Sequence, residues 1–351
     1  MPRPPHPSKL AVRPPRAAWL PALAAALAAC GGAGPRAGAH PQPRSTIDPA
    51  IQRIAGEELD RAFTDFAPEA GWVIALEPGT GAIRAIAARD GTPADADLPR
   101  TRAVVTGSTL KPLTYAAAFD AGAITADLSL DCAPRAYGDR TLTDASTHGT
   151  LTVAAGLEVS SNVCASRVLD RIGLARLLTT LRALHLGDPP APLPAIADPA
   201  GYDAAMFAAG ELHAATPLQL VAAYGALFAD GTYAAPTLDA AAAPARERAL
   251  SPEAAHAVVA LLEGVVTAPD GTGHQAAVPG HRVAGKTGTA MLGPDRTYAS
   301  FVGRVLDGPD LVILVGLVAP RDEGGGGDTA APTFARIATR LLAAPTAPAA
   351  P

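Results

Sequence analysis

Apolar positions recur at helical spacing through Ile47, Ile51, Ile54, Leu59, Ala62 and Phe66, with Asp48-Pro49 placed as an N-cap and a first-turn proline. A helix is expected there, in a folded body that starts near Thr46. Residues 71–76 form a short apolar run, 77–81 a turn and 82–87 a second apolar run, which together predict a β-hairpin. From about 111 to 263 the pattern is helical and alanine-rich, with loops expected at 131–149 and in the proline-rich stretch 187–199. Strand character returns at 281–290, 298–305 and 311–318, and a last helix is expected at 331–342. Strands at both ends enclosing a helical middle imply an α/β body of the α+β kind. Its sheet is assembled from distant segments and its inserted subdomain is mainly helical.

The N-terminus has a different pattern. Arg3, Lys9, Arg13 and Arg16 precede an apolar run at 17–29, too short to span a bilayer as a mature helix. Leu27-Ala28-Ala29-Cys30 resembles a bacterial lipoprotein box, in which cleavage leaves the cysteine as the lipid-modified N-terminus. Residues 1–29 are therefore expected to be a lipoprotein-type signal peptide and 30–45 a flexible linker behind a lipid anchor on Cys30. The folded domain is expected over 46–343, with a disordered Pro/Ala tail at 344–351. An exported protein meets an oxidising compartment, so Cys132 and Cys164 are read either as a disulfide or as two separate buried thiols.

The net charge is −5, and because the first thirty residues carry four positive charges and no acid, the remainder sits near −9. An acidic body with no basic run argues against nucleic acid as a partner. No Cys-x-x-Cys is present, and the eight histidines show no metal-ligand spacing, so no metal or other cofactor is expected. Positive charge is carried almost wholly by arginine: the chain has three lysines, Lys9, Lys111 and Lys286, and one asparagine, Asn162.

Those scarce residues fall in three motifs. In Ser108-Thr109-Leu110-Lys111-Pro112 the proline requires the first turn of a helix, so the helix begins near Ser108. Its free N–H groups could stabilise an oxyanion, and Lys111 lies on the face that carries the serine hydroxyl. A lysine that becomes neutral can activate a serine; an arginine cannot. Ser160-Ser161-Asn162 offers a proton-relaying hydroxyl and a carboxamide that both donates and accepts, although the same residues suit a helix cap. In Lys286-Thr287-Gly288-Thr289, inside a strand pattern, Gly288 permits close backbone approach, the threonines can hold a carboxylate and Lys286 supplies fixed positive charge. Gly280 to Thr287 also satisfies the P-loop pattern, but no strand core precedes it, and Gly288, Gly293 and Pro294 interrupt any helix after it.

With these motifs in order, the sequence resembles the transpeptidase domain of penicillin-binding proteins of class B type, which share the serine β-lactamase fold. Further likeness lies in Thr46-Ile47-Asp48 with Gln52, in Thr216-Pro217-Leu218-Gln219 and in Ala330-Ala331-Pro332-Thr333-Phe334. The resemblance implies a central, mainly antiparallel sheet flanked by helices. It also implies a peptidoglycan D,D-transpeptidase or D,D-carboxypeptidase acting on D-Ala-D-Ala stem peptides and inhibited by β-lactams. Ser108 would be the nucleophile and Lys111 its base. Ser160 would pass the proton to the leaving D-alanine with help from Lys286, and Asn162 would hold the peptide amide. Thr287 and Thr289 would hold the carboxylate, and the backbone N–H groups of Ser108 and Thr289 would form the oxyanion hole.

Three departures stand out. The N-terminal pedestal of typical class B members is not expected, Glu211-Leu212-His213 follows Gly210 where the family often has a second glycine, and Met291 stands where a glutamine is common. The alternatives on the same fold are a class D-like β-lactamase, with a carboxylated Lys111 as base, and a non-catalytic β-lactam sensor or scaffold. The Glu-x-x-Leu-Asn segment of class A β-lactamases is absent after Ser160.

Overall fold

The computed structural model describes residues 44–90, 97–321 and 324–344. The expected signal peptide, Cys30, nearly all of the expected linker and the tail from 345 lie outside the described residues.

Helix α1 (Pro49–Phe66) starts where Asp48 Oδ1 accepts from the amides of Ala50 at 2.8 Å and Ile51 at 3.1 Å. Ile54, Leu59 and Ala62 form its buried stripe. The hairpin β1 (Ala70–Leu76) and β2 (Ile83–Asp90) follows as expected. The three late strands are β3 (Val283–Gly293), β4 (Arg296–Val305) and β5 (Val312–Val318). They join the hairpin in one five-stranded antiparallel sheet of order β3-β4-β5-β1-β2. The junction is β5 against β1, with Ala70 opposite Val318 and Leu76 opposite Val312. Strand β3 is therefore an edge strand.

Both faces of the sheet are covered, which explains why β1 and β5 are apolar throughout instead of alternating. Val73, Ala75, Val315 and Leu317 pack under α1 and the last helix, α8 (Ala330–Ala343), through Ile54, Leu59, Phe334 and Ile337. Trp72, Ile74 and Leu76 face the opposite core. There the helical middle supplies α2 (Lys111–Asp120), α3 (Val153–Glu158), α4 (Asn162–Ala183, interrupted at Gly173), α5 (Tyr202–Ala209), α6 (Pro217–Phe228) and α7 (Pro252–Thr267). Burial pushes the Glu58 carboxyl up, but Arg336 and Arg340, each donating at 2.8 Å, hold it below the usual range and tie α1 to α8.

The structure differs from the sequence expectation in three places. Within and beside the expected loop at 131–149 there are two small antiparallel ribbons, Ser129–Asp131 with Thr150–Thr152 and Arg135–Tyr137 with Arg140–Leu142. Thr232–Ala234 pairs with Arg246–Arg248 inside the stretch expected to be helical. Three-residue strands are too short to show a period. Ala214–Ala215, in the same stretch, pairs with Val104–Val105. Backbone contacts tie down the chain at the expected start of the body near Thr46. Arg44 O accepts from the amide of Ala240, Ser45 bridges Asp239, and Thr46 N donates to Leu238 O at 3.0 Å.

Cys132, just after the first ribbon strand, is joined to Cys164 of α4 with Cα atoms 5.0 Å apart. The bond closes a loop that contains residues 133–163. Replacing both cysteines by alanine is expected to lower stability by about 4 kcal/mol, the loop-closure value for a sequence separation of 32. Urea unfolding under oxidising conditions measures it.

Candidate active site

Residues Gly107–Leu110 form a 3-10 turn that runs directly into α2, with Pro112 in the first α-helical turn. The helix thus begins where the proline requires it, with its first turn wound tighter. Ser108 is partly exposed on this turn and Lys111 is buried beneath it. Lys111 Nζ lies 2.6 Å from Ser108 Oγ, 2.6 Å from the carbonyl oxygen of Ser160 and 3.2 Å from Ser160 Oγ.

Ser160 has a φ of +60°, a left-handed conformation uncommon for a residue with a side chain. Next to it Ser161 is the N-cap of α4, its Oγ accepting from the amide of Cys164 at 2.9 Å, and Asn162 is the first helical residue. The cap reading therefore holds for Ser161, while Ser160 turns its hydroxyl toward the lysines. Asp144 fixes this arrangement. It accepts from Ser161 Oγ at 2.5 Å and from the amides of Asn162 at 2.5 Å and Val163 at 3.1 Å. A carboxylate at a helix N-terminus is favoured by the free N–H groups and the helix dipole.

Lys286 is the fourth residue of β3 and is buried; its Nζ donates to Ser160 Oγ at 2.8 Å and to the carbonyl of Thr287 at 3.1 Å. Thr287 Oγ1 is 2.8 Å from Thr272 Oγ1, and Thr289 Oγ1 accepts from the amide of Gly326 at 3.1 Å. At Gly288 a Cβ would lie 2.8 Å from Thr109 Cγ2 and 2.5 Å from Ser300 Oγ. The close approach that this glycine permits is thus between the edge strand and the turn bearing Ser108. The P-loop pattern falls on a turn followed by strand β3, so no helix N-terminus is available to a phosphate.

Ser108, Ser160, Asn162, Thr287 and Thr289 line one cavity of about 720 Å³. Asp144, Glu211, Thr272 and the glycines 325 and 327 complete much of its wall. Motif reading gives none of these a role, although Glu211 stands in the departure after Gly210. Asp144 and Thr272 lie in stretches without a period, and the signal for Gly324 to Gly327 is only the glycine run itself. Burial lowers the Lys111 amine to about 8, against the opposing charges of Glu211 and Asp144. Burial, reinforced by the charge of Lys111, pushes Lys286 well below the ordinary lysine value. Two amines share one hydroxyl, and charge on one disfavours charge on the other, so burial and Lys111 together work against the fixed positive charge that the Lys286 motif suggests. Among the described residues no group of three His, Cys, Asp or Glu side chains is arranged to hold a metal ion.

The departure after Gly210 has a structural role. Gly107 N donates to Gly210 O at 3.1 Å, Thr106 N donates to His213 O at 2.9 Å, and Thr106 Oγ1 is 3.1 Å from His213 Nδ1. Burial lowers His213 to about 4, so it is a neutral partner. Met291, beyond the threonines, is exposed at the rim of the strand.

The pattern of a family model described as the penicillin binding protein transpeptidase domain matches residues 71–339. The chain is 30% identical to the probable peptidoglycan D,D-transpeptidase PenA of Neisseria meningitidis, over 83% of this chain and 55% of that protein. It is 27% identical to the peptidoglycan D,D-transpeptidase FtsI of Escherichia coli, over 85% and 55%. The chain thus spans about half the length of these relatives. Among solved structures, the transpeptidase domain of Burkholderia pseudomallei penicillin-binding protein 3 superposes with a TM-score of 0.75 at 28% identity, covering 91% of this chain and all of that one. Penicillin-binding protein 3 of Mycobacterium tuberculosis, in complex with aztreonam, gives 0.77 at 26% identity, over 85% and 78%. With the matched region covering most of the chain and containing all three motifs around one cavity, this protein belongs to the penicillin-binding protein transpeptidase family.

Proposed function

We propose that the protein is a serine D,D-transpeptidase or D,D-carboxypeptidase of peptidoglycan, acylated on Ser108 by the D-Ala-D-Ala end of a stem peptide. The observation that carries this is an unbroken polar chain at the cavity floor: Ser108 Oγ, Lys111 Nζ, Ser160 Oγ and Lys286 Nζ, linked at 2.6, 3.2 and 2.8 Å.

Neutral Lys111 takes the Ser108 proton as Oγ attacks the carbonyl carbon between the two D-alanines. The proton passes along Ser160 Oγ to the leaving nitrogen, the C–N bond breaks and D-alanine departs. Asn162 holds the peptide amide, and Thr287 with Thr289 holds the terminal carboxylate. The oxyanion rests on the backbone N–H groups of Ser108 and Thr289. An amine of a neighbouring strand, or water, then takes the acyl group. A β-lactam that mimics D-Ala-D-Ala acylates Ser108 in its place.

An exported location with a lipid on Cys30 completes the proposal, supported by the basic and apolar N-terminal pattern and by the family's work on the cell wall. Among the described residues no helix is long and apolar enough to cross a membrane.

Fluorescent penicillin is expected to label the protein covalently and Ser108→Ala to remain unlabelled; an unlabelled wild type overturns the proposal. A pentapeptide muropeptide with an added amine acceptor then separates cross-linked from trimmed products. Because only the neutral amine accepts a proton and Lys111 titrates near 8, acylation should rise with pH and level off above that value. Stopped-flow acylation across that range reads the limb; a flat profile removes Lys111 as the base. Lys111→Arg keeps the charge without a removable proton, and its acylation rate is expected to fall by about 10³-fold with the melting temperature retained.

A further inference from the structure

Glu211 is the one residue of the cavity wall whose chemistry the acylation steps leave unused and whose backbone is stitched to the nucleophile's turn. Gly210, immediately before it, has a φ of +96°, and a Cβ there would come within 1.8 Å of the Gly107 carbonyl oxygen. The hydrogen bonds from Gly107 N to Gly210 O and from Thr106 N to His213 O clamp this turn on both sides of Glu211. The residue that follows Gly210 and the residue that follows Gly107 are thus held beside each other, and Glu211 and Ser108 line the same cavity.

The Glu211 carboxyl is partly buried, and burial raises it while the charge of Lys111 opposes that rise. No side-chain hydrogen bond or ion pair occupies it among the described residues. Asp144, by contrast, is fully engaged in capping α4. The remaining titratable groups of the wall, His148, Asp270 and Asp328, belong to segments outside the clamped turn. Desolvating a carboxylate without a partner costs stability, so its place beside a nucleophilic serine calls for a chemical use.

We infer that Glu211 is the base that activates water against the Ser108 acyl-enzyme, so that hydrolysis competes with, and in the absence of an amine replaces, transfer to an acceptor. The inference rests on the acyl-enzyme reading above. The water oxygen bonds to the ester carbonyl carbon as its proton passes to the Glu211 carboxylate. When the tetrahedral intermediate collapses, the bond from carbon to Ser108 Oγ breaks. The proton held by Glu211 passes through water in the cavity to the Lys111 amine, 2.6 Å from Oγ, and on to the departing serine oxygen. The product is the stem peptide shortened by one D-alanine, whose new carboxyl group loses its proton to solvent. Glu211, Lys111 and Ser108 are all restored. The same step on a β-lactam adduct gives slow turnover.

The test follows the lifetime of the adduct with fluorescent penicillin after excess reagent is removed, and the release of D-alanine from diacetyl-Lys-D-Ala-D-Ala without an amine acceptor. The wild-type adduct should decay and D-alanine should accumulate. In Glu211→Gln the adduct should form but persist about 10²-fold longer, with a comparable fall in D-alanine turnover, and Glu211→Asp should recover part of the lost rate. Decay of the Glu211→Gln adduct at the wild-type rate overturns the inference, as does a stable wild-type adduct. Equal slowing of acylation and deacylation overturns it too, because it would assign Glu211 to setting the charge of Lys111. Failure of the wild type to form any adduct overturns instead the acyl-enzyme reading, and this inference with it.

Discussion

Two amines held on either side of one hydroxyl form the constraint on which the rest of this molecule depends. Lys111 and Lys286 both reach Ser160 Oγ, at 3.2 and 2.8 Å, and both are buried. Burying two ammonium groups so close together without a carboxylate against either is prohibitively costly. Burial lowers both amines and so brings the neutral form within closer reach, and on the proposed mechanism a neutral amine is what the Ser108 hydroxyl needs from Lys111. The electrostatic penalty and the catalytic capacity therefore have one source. On the proposed mechanism, solvating Lys111 would relieve the penalty and remove the base.

Holding that arrangement requires three segments distant in the chain to meet within hydrogen-bond length, and the fold supplies rigid supports for each. Lys286 is on an edge strand whose other side is paired along its length with β4. Lys111 is in the first turn of a helix packed into the core, where Leu113, Tyr115 and Ala116 are fully buried. Ser160 is the least regular of the three. Its left-handed backbone is held by a capped helix on one side and, through Asp144, by the ribbon segment on the other. The Cys132–Cys164 bond closes that same segment onto α4, so an oxidising compartment would tighten the support of Ser160 without touching the chemistry.

Much of this is legible in the residues. The apolar runs predict the sheet strands because a sheet covered on both faces needs continuous apolar sequence, and Pro112 fixes the start of the helix that carries Lys111. The scarcity of lysine and asparagine marks the same motifs. Asp144 is not legible: it reaches Ser161 across 17 positions from a stretch with no period, and nothing in a lone aspartate announces a helix cap in space. Thr272 shares that property, since its hydroxyl meets that of Thr287 through a contact that tertiary structure alone creates. The charge state of Lys286 is also invisible in its motif, because it depends on burial and on a second amine 175 positions away in sequence.

The composition gains a physical meaning from this geometry. Only Lys111 and Lys286 remain as lysines in the described body, and Asn162 is the only asparagine in the chain. A drift from lysine to arginine costs little on a solvated surface, where both are long cations that make weak ion pairs. At the cavity floor the exchange fails twice. The guanidinium does not give up its proton, and its planar fork differs in shape from the compact ammonium that lies 2.6 and 3.2 Å from the two hydroxyls. The lysines that survive in the body are the two whose amines flank the Ser160 hydroxyl, and the surviving asparagine opens the helix next to that hydroxyl.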